Sequence, residues 1–208
     1  MISKAQFEEK IAPFTLQYEA GWVNNPKDKG GETYRGISRK FNPNWNGWAL
    51  IDKSKPLKYN QILPQLEPGV NEFYWNRFRN EGYDKADSTK VALAMFDYNV
   101  HGGFNLSVMK NIIKDKFNKI IMPESVMNWV NGQNEDNISK IIIEHRDAYL
   151  KKIIQNDPTQ KEFESGWNNR IKAIKKYINL KTVGISAGVI LLLLAIIIII
   201  FIRREQNV

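Results

Sequence analysis

The sequence predicts a mainly α fold followed by one membrane-crossing helix at the C-terminus. Three observations carry this. Apolar residues recur at helical spacing through most of the chain before residue 183, and capping and breaking residues fall where such helices would start and stop. The third is residues 183–202, which read VGISAGVILLLLAIIIIIFI without a single charge. At about 1.5 Å per residue, a helix of that length reaches about 30 Å, the thickness of a bilayer's hydrocarbon core. Strand signals are slight.

Composition narrows the chemistry. The chain has 208 residues, 30 Lys+Arg against 22 Asp+Glu, two His and no Cys, for a net charge of +8. That length suits one domain with an appendage. The absence of Cys excludes disulfides, thiolate zinc sites and a cysteine nucleophile. His101 and His145 lack ligand spacing, and no G-x-x-x-x-G-K-[ST] pattern is present, so neither a metal nor an organic cofactor is expected. The positive charge suits a polyanionic partner such as cell wall or anionic lipid; no nucleic-acid partner is expected.

The first helix is expected over residues 4–18. Ser3 with Gln6 fits a capping box, and Phe7, Ile11, Phe14 and Tyr18 share one face. Pro13 should kink it or mark a restart, and Gly21 is available to end it. Residues 24–36, NNPKDKGGETYRG, read as a loop with at most a short hairpin. An irregular stretch with Trp45, Trp48 and several prolines follows, then a helix around 70–80. Ser88 can cap a helix carrying Val91, Met95 and Tyr98, stopped by Gly102 and Gly103. Further helices fit 106–117, 123–130 and 138–154, and a last one runs from Trp167 toward the apolar segment.

The stretch EAGWVNNPKDKGGETYRG over residues 19–36 carries more than a surface loop needs. Cleaving a glycosidic bond requires an acid that keeps its proton near neutral pH and donates it to the leaving oxygen. Apolar surroundings provide that by penalising the ionised carboxylate, and Glu19 lies between Phe14 and Trp22 in sequence. Asp28 and Thr33 could orient a water, while Gly30 and Gly31 would let the backbone approach a sugar. By spacing alone, a Glu at a helix end before a polar loop is more often a solvated terminus.

The same stretch resembles the opening motif of the glycoside hydrolase family 108 lysozymes, E-G-G-Y-x-x-[DN]-P-x-D-x-G-G-x-T-x-x-G-I. EFYWNRF, MFDYNVHGG and FESGWNNR resemble three later motifs of that family in the same order, so the likeness spans roughly residues 5–170. It implies a lysozyme-like helical domain that cleaves peptidoglycan as an N-acetylmuramidase. Glu19 then matches the family's acid, and the Glu, Asp, Thr order is similar to that of phage-type lysozymes, with Asp28 and Thr33 in support. Trp22, Gly30, Gly31, Tyr34, Asp97, Asn99 and His101 become candidates for the substrate groove. Ala20 and Trp22 depart from the pattern mildly, and His101 stands where Asn is common. The segment DKFNKIIMPESVMNWV after Lys114 lacks the family's usual D-G-x-x-G-P-x-T stretch. Trp75, Trp129 and Trp167 read as core or groove wall, Arg146 and Arg170 as braces of the fold, and Asp97 first as structural support, holding a helix end or the Glu19 loop, before a contact to the glycan.

The expected organisation is a hydrolase domain over 1–170, with a catalytic part over 1–103 and a helical second part over 104–170. A basic juxtamembrane segment over 171–182, the span over 183–202 and a tail over 203–208 complete it. Lys172, Lys175, Lys176 and Lys181 on one side of the span and Arg203 and Arg204 on the other place the N-terminal domain on the cytoplasmic side. No export signal opens the chain, which points to a bacteriophage protein of a virion membrane or the host inner membrane, serving wall entry or lysis. Two rivals remain: a lytic transglycosylase of the same fold, and a non-catalytic peptidoglycan-binding protein.

Overall fold

The computed structural model describes residues 1–24 and 31–179. Residues 183–202 and the 203–208 tail lie outside the described residues, as do Asp28 and Gly30. Among the described residues, no helix is long and apolar enough to cross a membrane.

The chain starts with helix α1 (Lys4–Lys10), and its capping box is fully formed. Gln6 N donates to Ser3 Oγ at 3.2 Å and Ser3 N donates to Gln6 Oε1 at 2.9 Å, so two otherwise orphaned amides are satisfied reciprocally. Pro13 acts as a restart. The helix breaks at Ile11 and resumes as α2 (Ala12–Leu16), with the proline in its first turn, where no amide donor is needed. Glu19 sits just past the end of α2. Gly21 serves a different purpose from ending the helix: a Cβ there would lie 2.5 Å from the Asn60 and Gln61 carbonyl oxygens.

The loop after Glu19 holds a three-stranded antiparallel sheet of two-residue strands, β1 (Trp22–Val23), β2 (Thr33–Tyr34) and β3 (Ile37–Ser38), in the order β1-β2-β3. Trp22 faces Tyr34 and Tyr34 faces Ile37. Arg35 and Gly36 make the β2–β3 turn with φ of 49° and 76°, the left-handed pair that a tight hairpin requires.

The irregular stretch expected around Trp45 and Trp48 instead contains helix α3 (Gly47–Ser54). Helix α4 (Glu67–Asn80) starts earlier than the apolar pattern implied, with Pro68 in its first turn. Helix α5 (Thr89–Val100) is the axis of the core: every residue from 91 to 99 is buried. Phe96 of α5 meets Phe7 of α1 and Phe78 of α4, ring centres 5.4 Å apart in both cases, locking the three helices together. Burying one such ring contributes about 1.5–3 kcal/mol.

Helix α6 (Leu106–Phe117) has the predicted bounds, with Asn105 as its cap. Helices α7 (Val126–Asn131) and α8 (Glu135–Asn156) follow, α8 packing along α5. Half-buried Trp129 packs edge-on against Phe117, 4.8 Å between centres. Helix α9 (Glu164–Tyr177) runs back along α8. Ile171, Ile174 and Ile178 are buried, so the stretch expected as a juxtamembrane segment contributes its first residues to the core; Met1–Ile178 form one unit.

Candidate active site

Glu19 is reached from four directions. Its own amide closes the end of α2 on Leu16 O at 3.1 Å. The Arg35 guanidinium, on the β2–β3 turn, donates to both Leu16 O (3.0 Å) and Glu19 O (2.9 Å), bracing the carbonyls at and beyond the end of α2. Arg35 is itself held by Glu67 Oε2 at 3.0 Å, and its carbonyl accepts from the Tyr74 hydroxyl at 2.8 Å. The Glu19 carboxylate lies against Gly36: a Cβ there would come within 2.6 Å of Oε2 and would also collide with the Tyr74 hydroxyl.

On its other side the carboxylate meets α9. Arg170 Nη1 approaches Glu19 Oε1 at 3.4 Å, while the same guanidinium grips Asp97 of α5 through Nη2–Oδ1 (2.6 Å) and Nε–Oδ2 (3.1 Å). Asp97 also accepts from Arg146 Nη1 of α8 at 2.6 Å. The Tyr18 ring covers Arg170, 4.6 Å from its centre.

The Glu19 side chain retains 17% exposure. Burial pushes its proton affinity above the ordinary carboxylate range. Arg170 pulls it back by charge and by its hydrogen bond, and Arg77 does so by charge; Asp97 pushes it further up. The net direction is upward. Asp97 goes the other way: burial alone would raise it, but Arg146 and Arg170 outweigh that and hold it ionised. Two carboxyl groups linked by one guanidinium therefore differ in character, one inclined to keep a proton and one to lose it.

Beside this arrangement lies a cleft of about 900 Å³, lined among others by Gly36, Asn42, Trp45, Phe73, Asn76 and Arg77. Gly36 belongs to both, lining the cleft and touching the carboxylate. Aromatic faces with neighbouring amides and a guanidinium are the surfaces that bind polyhydroxylated rings.

The other candidates separate clearly. Thr33 is half-buried on β2, its hydroxyl donating to Gly31 O at 3.1 Å. Trp22 is half-buried, its indole N–H donating to Glu32 Oε1 at 2.8 Å. Gly31 has φ of 67°, and among the described residues nothing lies within 4 Å of where its Cβ would stand. His101, capping α5, is half-buried with its ring edge-on to Trp167 at 5.9 Å; burial, aided by Arg146 and Arg170, lowers its pKa to about 4, so it is neutral at pH 7.

Three candidates for the groove are buried, and for Asp97 this is the structural role that the sequence favoured. Tyr34 is fully buried, its hydroxyl accepting from Leu63 N at 2.9 Å and lying 3.1 Å from Glu67 Oε1. Asp97 is fully buried and committed to two arginines. Asn99, 7% exposed, accepts from Arg77 Nε at 2.8 Å and donates to Phe104 O at 2.7 Å. None presents a free polar atom to a ligand; each fixes the scaffold behind the site.

Sequence reasoning missed Arg35, Gly36 and Glu32 as site-building residues. The R-G dipeptide between two short β-prone pairs was a usable turn signal for the first two. Glu32 ties β2 to its surroundings through Arg39 Nη1 (2.7 Å) and Lys55 Nζ (2.8 Å). Burial would raise its pKa, but Lys55, the Trp22 indole and Arg39 overcome this and hold it below the usual range.

Residues 12–103 match the sequence profile of the family described as Glycosyl hydrolase 108, a stretch that includes Glu19, Gly36 and Asp97. That likeness spans 92 of the chain's 208 residues and supports a glycoside hydrolase. Among solved structures the chain is similar to SagA of Brucella abortus, with a TM-score of 0.57 and 19% identity over 87% of this chain and 99% of that one. At that identity the likeness concerns the mainly helical fold alone. No curated protein matches the chain.

Proposed function

We propose that the protein is an N-acetylmuramidase that cleaves the β-1,4 bond between N-acetylmuramic acid and N-acetylglucosamine in peptidoglycan, with Glu19 as general acid. One observation supports this most: a carboxyl whose proton affinity is raised by burial, touching the glycine that lines a cleft of about 900 Å³. A protonated Glu19 donates to the leaving glycosidic oxygen as the C–O bond breaks, and the anomeric carbon gains positive charge. The proton passes to the leaving sugar and Glu19 becomes anionic beside Arg170. A water then adds to the anomeric carbon and its proton returns to the medium. Asp28 and Thr33 are proposed to orient that water, and Trp22, Gly30, Gly31 and His101 to border the sugar. Neither metal nor cofactor is called on.

Residues 183–202 support a further proposal, that the enzyme is tethered to a bilayer by its uncharged C-terminal run. A phage origin, with the tether in a virion or host inner membrane, rests on the charge distribution around that run and is tested by recovery from purified, lipid-containing particles.

Digestion of purified sacculi by the full-length chain, followed by mass spectrometry, tests the chemistry. Hydrolysis leaves muropeptides with reducing N-acetylmuramic acid ends. Products ending in 1,6-anhydromuramic acid would make the enzyme a transglycosylase, and binding to sacculi without released fragments would make it a wall-binding protein.

A further inference from the structure

Arg170 lies 151 residues from Glu19 in sequence and outside the stretch that matches the family profile. Its guanidinium is nonetheless the one that closes on the Glu19 carboxyl, at 3.4 Å, from a side chain only 7% exposed. The grip is unequal. Two of its nitrogens go to Asp97 at 2.6 and 3.1 Å, in the two-pronged geometry that fixes a guanidinium plane, and only the remaining Nη1 is left for Glu19. Asp97 in turn is anchored by Arg146 at 2.6 Å, and the Tyr18 ring covers the outer face of Arg170. The orientation of Arg170 is thus set without help from Glu19.

We propose that Arg170 is a positioning residue for the acid: held by Asp97, it presents one N–H to the Glu19 carboxyl and stabilises the carboxylate formed when the proton leaves. The inference rests on the reading of Glu19 as the general acid and extends it to a residue of α9. The physical need is a balance. A free arginine against Glu19 would strip it of its proton, leaving no acid; no cation at all would leave a buried carboxylate unpaired after proton transfer. Sharing the guanidinium with Asp97 satisfies both demands, because most of its charge is met elsewhere while one donor stays in place.

Among the described residues, the groups facing Glu19 are few. Arg170 comes from α9, Asp97 from α5 with Arg146 of α8 behind it, Arg77 and Tyr74 from α4, and Arg35 from the β2–β3 turn by way of the Glu19 carbonyl. Tyr18 precedes it in the chain and lies over Arg170. Within this set, removing Arg170 and removing the charge of Asp97 have opposite consequences. Arg170→Gln deletes a cation, so Glu19 holds its proton to higher pH. Asp97→Asn deletes an anion and frees the whole guanidinium for Glu19, which then loses its proton at lower pH.

The test is the alkaline limb of the kcat/KM profile of the full-length chain on soluble peptidoglycan fragments. The limb is expected to move up in pH for Arg170→Gln, with kcat reduced about tenfold or more. It is expected to move down for Asp97→Asn, and to return toward wild type in Arg170→Lys. A merely structural role loosens the site and hydrates Glu19 in both variants, moving both limbs down; that result overturns the proposal. A second measurement needs neither variant to fold nor any activity. The side-chain nitrogen resonances of Arg170 in the wild-type protein should titrate with Glu19 and lose that inflection in Glu19→Gln. Resonances that ignore the Glu19 titration refute the proposal even if Glu19 proves to be the acid. If Glu19→Gln keeps full activity while Arg170 still senses the titration, it is the assignment of the acid that fails.

Discussion

Gly36 lies against the Glu19 carboxylate so closely that a methyl group on it would sit 2.6 Å from Oε2. Its φ of 76° also belongs to the left-handed region that side-chain-bearing residues avoid. The same residue therefore turns the β2–β3 hairpin, lines the cleft and leaves room for the Glu19 carboxyl.

Gly36→Ala is accordingly expected to cost about 1–3 kcal/mol of stability from backbone strain alone. It should also lower kcat/KM on peptidoglycan by displacing the carboxyl or the Tyr74 hydroxyl. Denaturant unfolding and sacculus digestion check the two parts. An alanine variant with unchanged stability and activity would show that the turn does not constrain the site.

The buried Arg146–Asp97 pair predicts a large effect from a distant residue. Arg146 is 1% exposed, and its loss leaves the fully buried Asp97 with Arg170 alone. Arg146→Met should destabilise the fold by about 3–5 kcal/mol, the usual result of removing one partner of a buried pair. A urea-melt difference below about 1 kcal/mol would contradict this view of α8 as the support of Asp97.

Glu19 and Asp97 impose opposite pH dependences on folding. Asp97 has its folded pKa depressed, so its contribution is present above the unfolded carboxylate value and is lost as pH falls through the folded one. Glu19 has its folded pKa raised by burial. It contributes most below the unfolded value, and that contribution is lost as pH rises toward the folded one. Glu19→Gln removes the second dependence, so its stability relative to wild type should increase with pH across that window. Thermal melts at a series of pH values read this directly; a constant difference would mean that Glu19 is not held in a proton-favouring environment.

Much of the helical scaffold was legible because its signals are local. Ser3 and Gln6, Ser88 and the bounds of α6 are short-range patterns that tertiary packing had no cause to override. Helix α3 was not legible: GWALIDKS is short, and Asn42, Pro43, Asn44 and Asn46 before it read as turns. The early starts of α4 and α8 had signals that the apolar period hid. Pro68 marks a first turn, and Asn134 followed by Glu135 and Asp136 marks a cap, its side chain accepting from Asn137 N at 3.0 Å. At the site, Glu19 could be singled out because it opens a motif with a family resemblance; its place at a helix end alone reads as a solvated terminus. The burial of Tyr34 and Asn99 could not be read, since polar residues that serve a core and those that serve a groove look alike in sequence. Arg170 was readable only as a brace, because its meeting with Glu19 is made by the packing of α9 and has no local trace.

Glu32 carries a further expectation. It joins Trp22, Arg39 and Lys55 around an 11%-exposed carboxylate on the hairpin. Glu32→Ala leaves the indole N–H and two cations without their shared acceptor and should cost about 1–3 kcal/mol. A thermal melt indistinguishable from wild type would show the cluster to be solvated decoration.

The most direct measurement is the rate of muropeptide release from sacculi by Glu19→Gln against wild type, with circular dichroism confirming that both are folded. Glutamine keeps the shape of the side chain and has no proton of the needed acidity to give. With Glu19 as the acid, the expected loss is about 10²–10⁴-fold. Release by the folded variant at the wild-type rate would contradict that assignment.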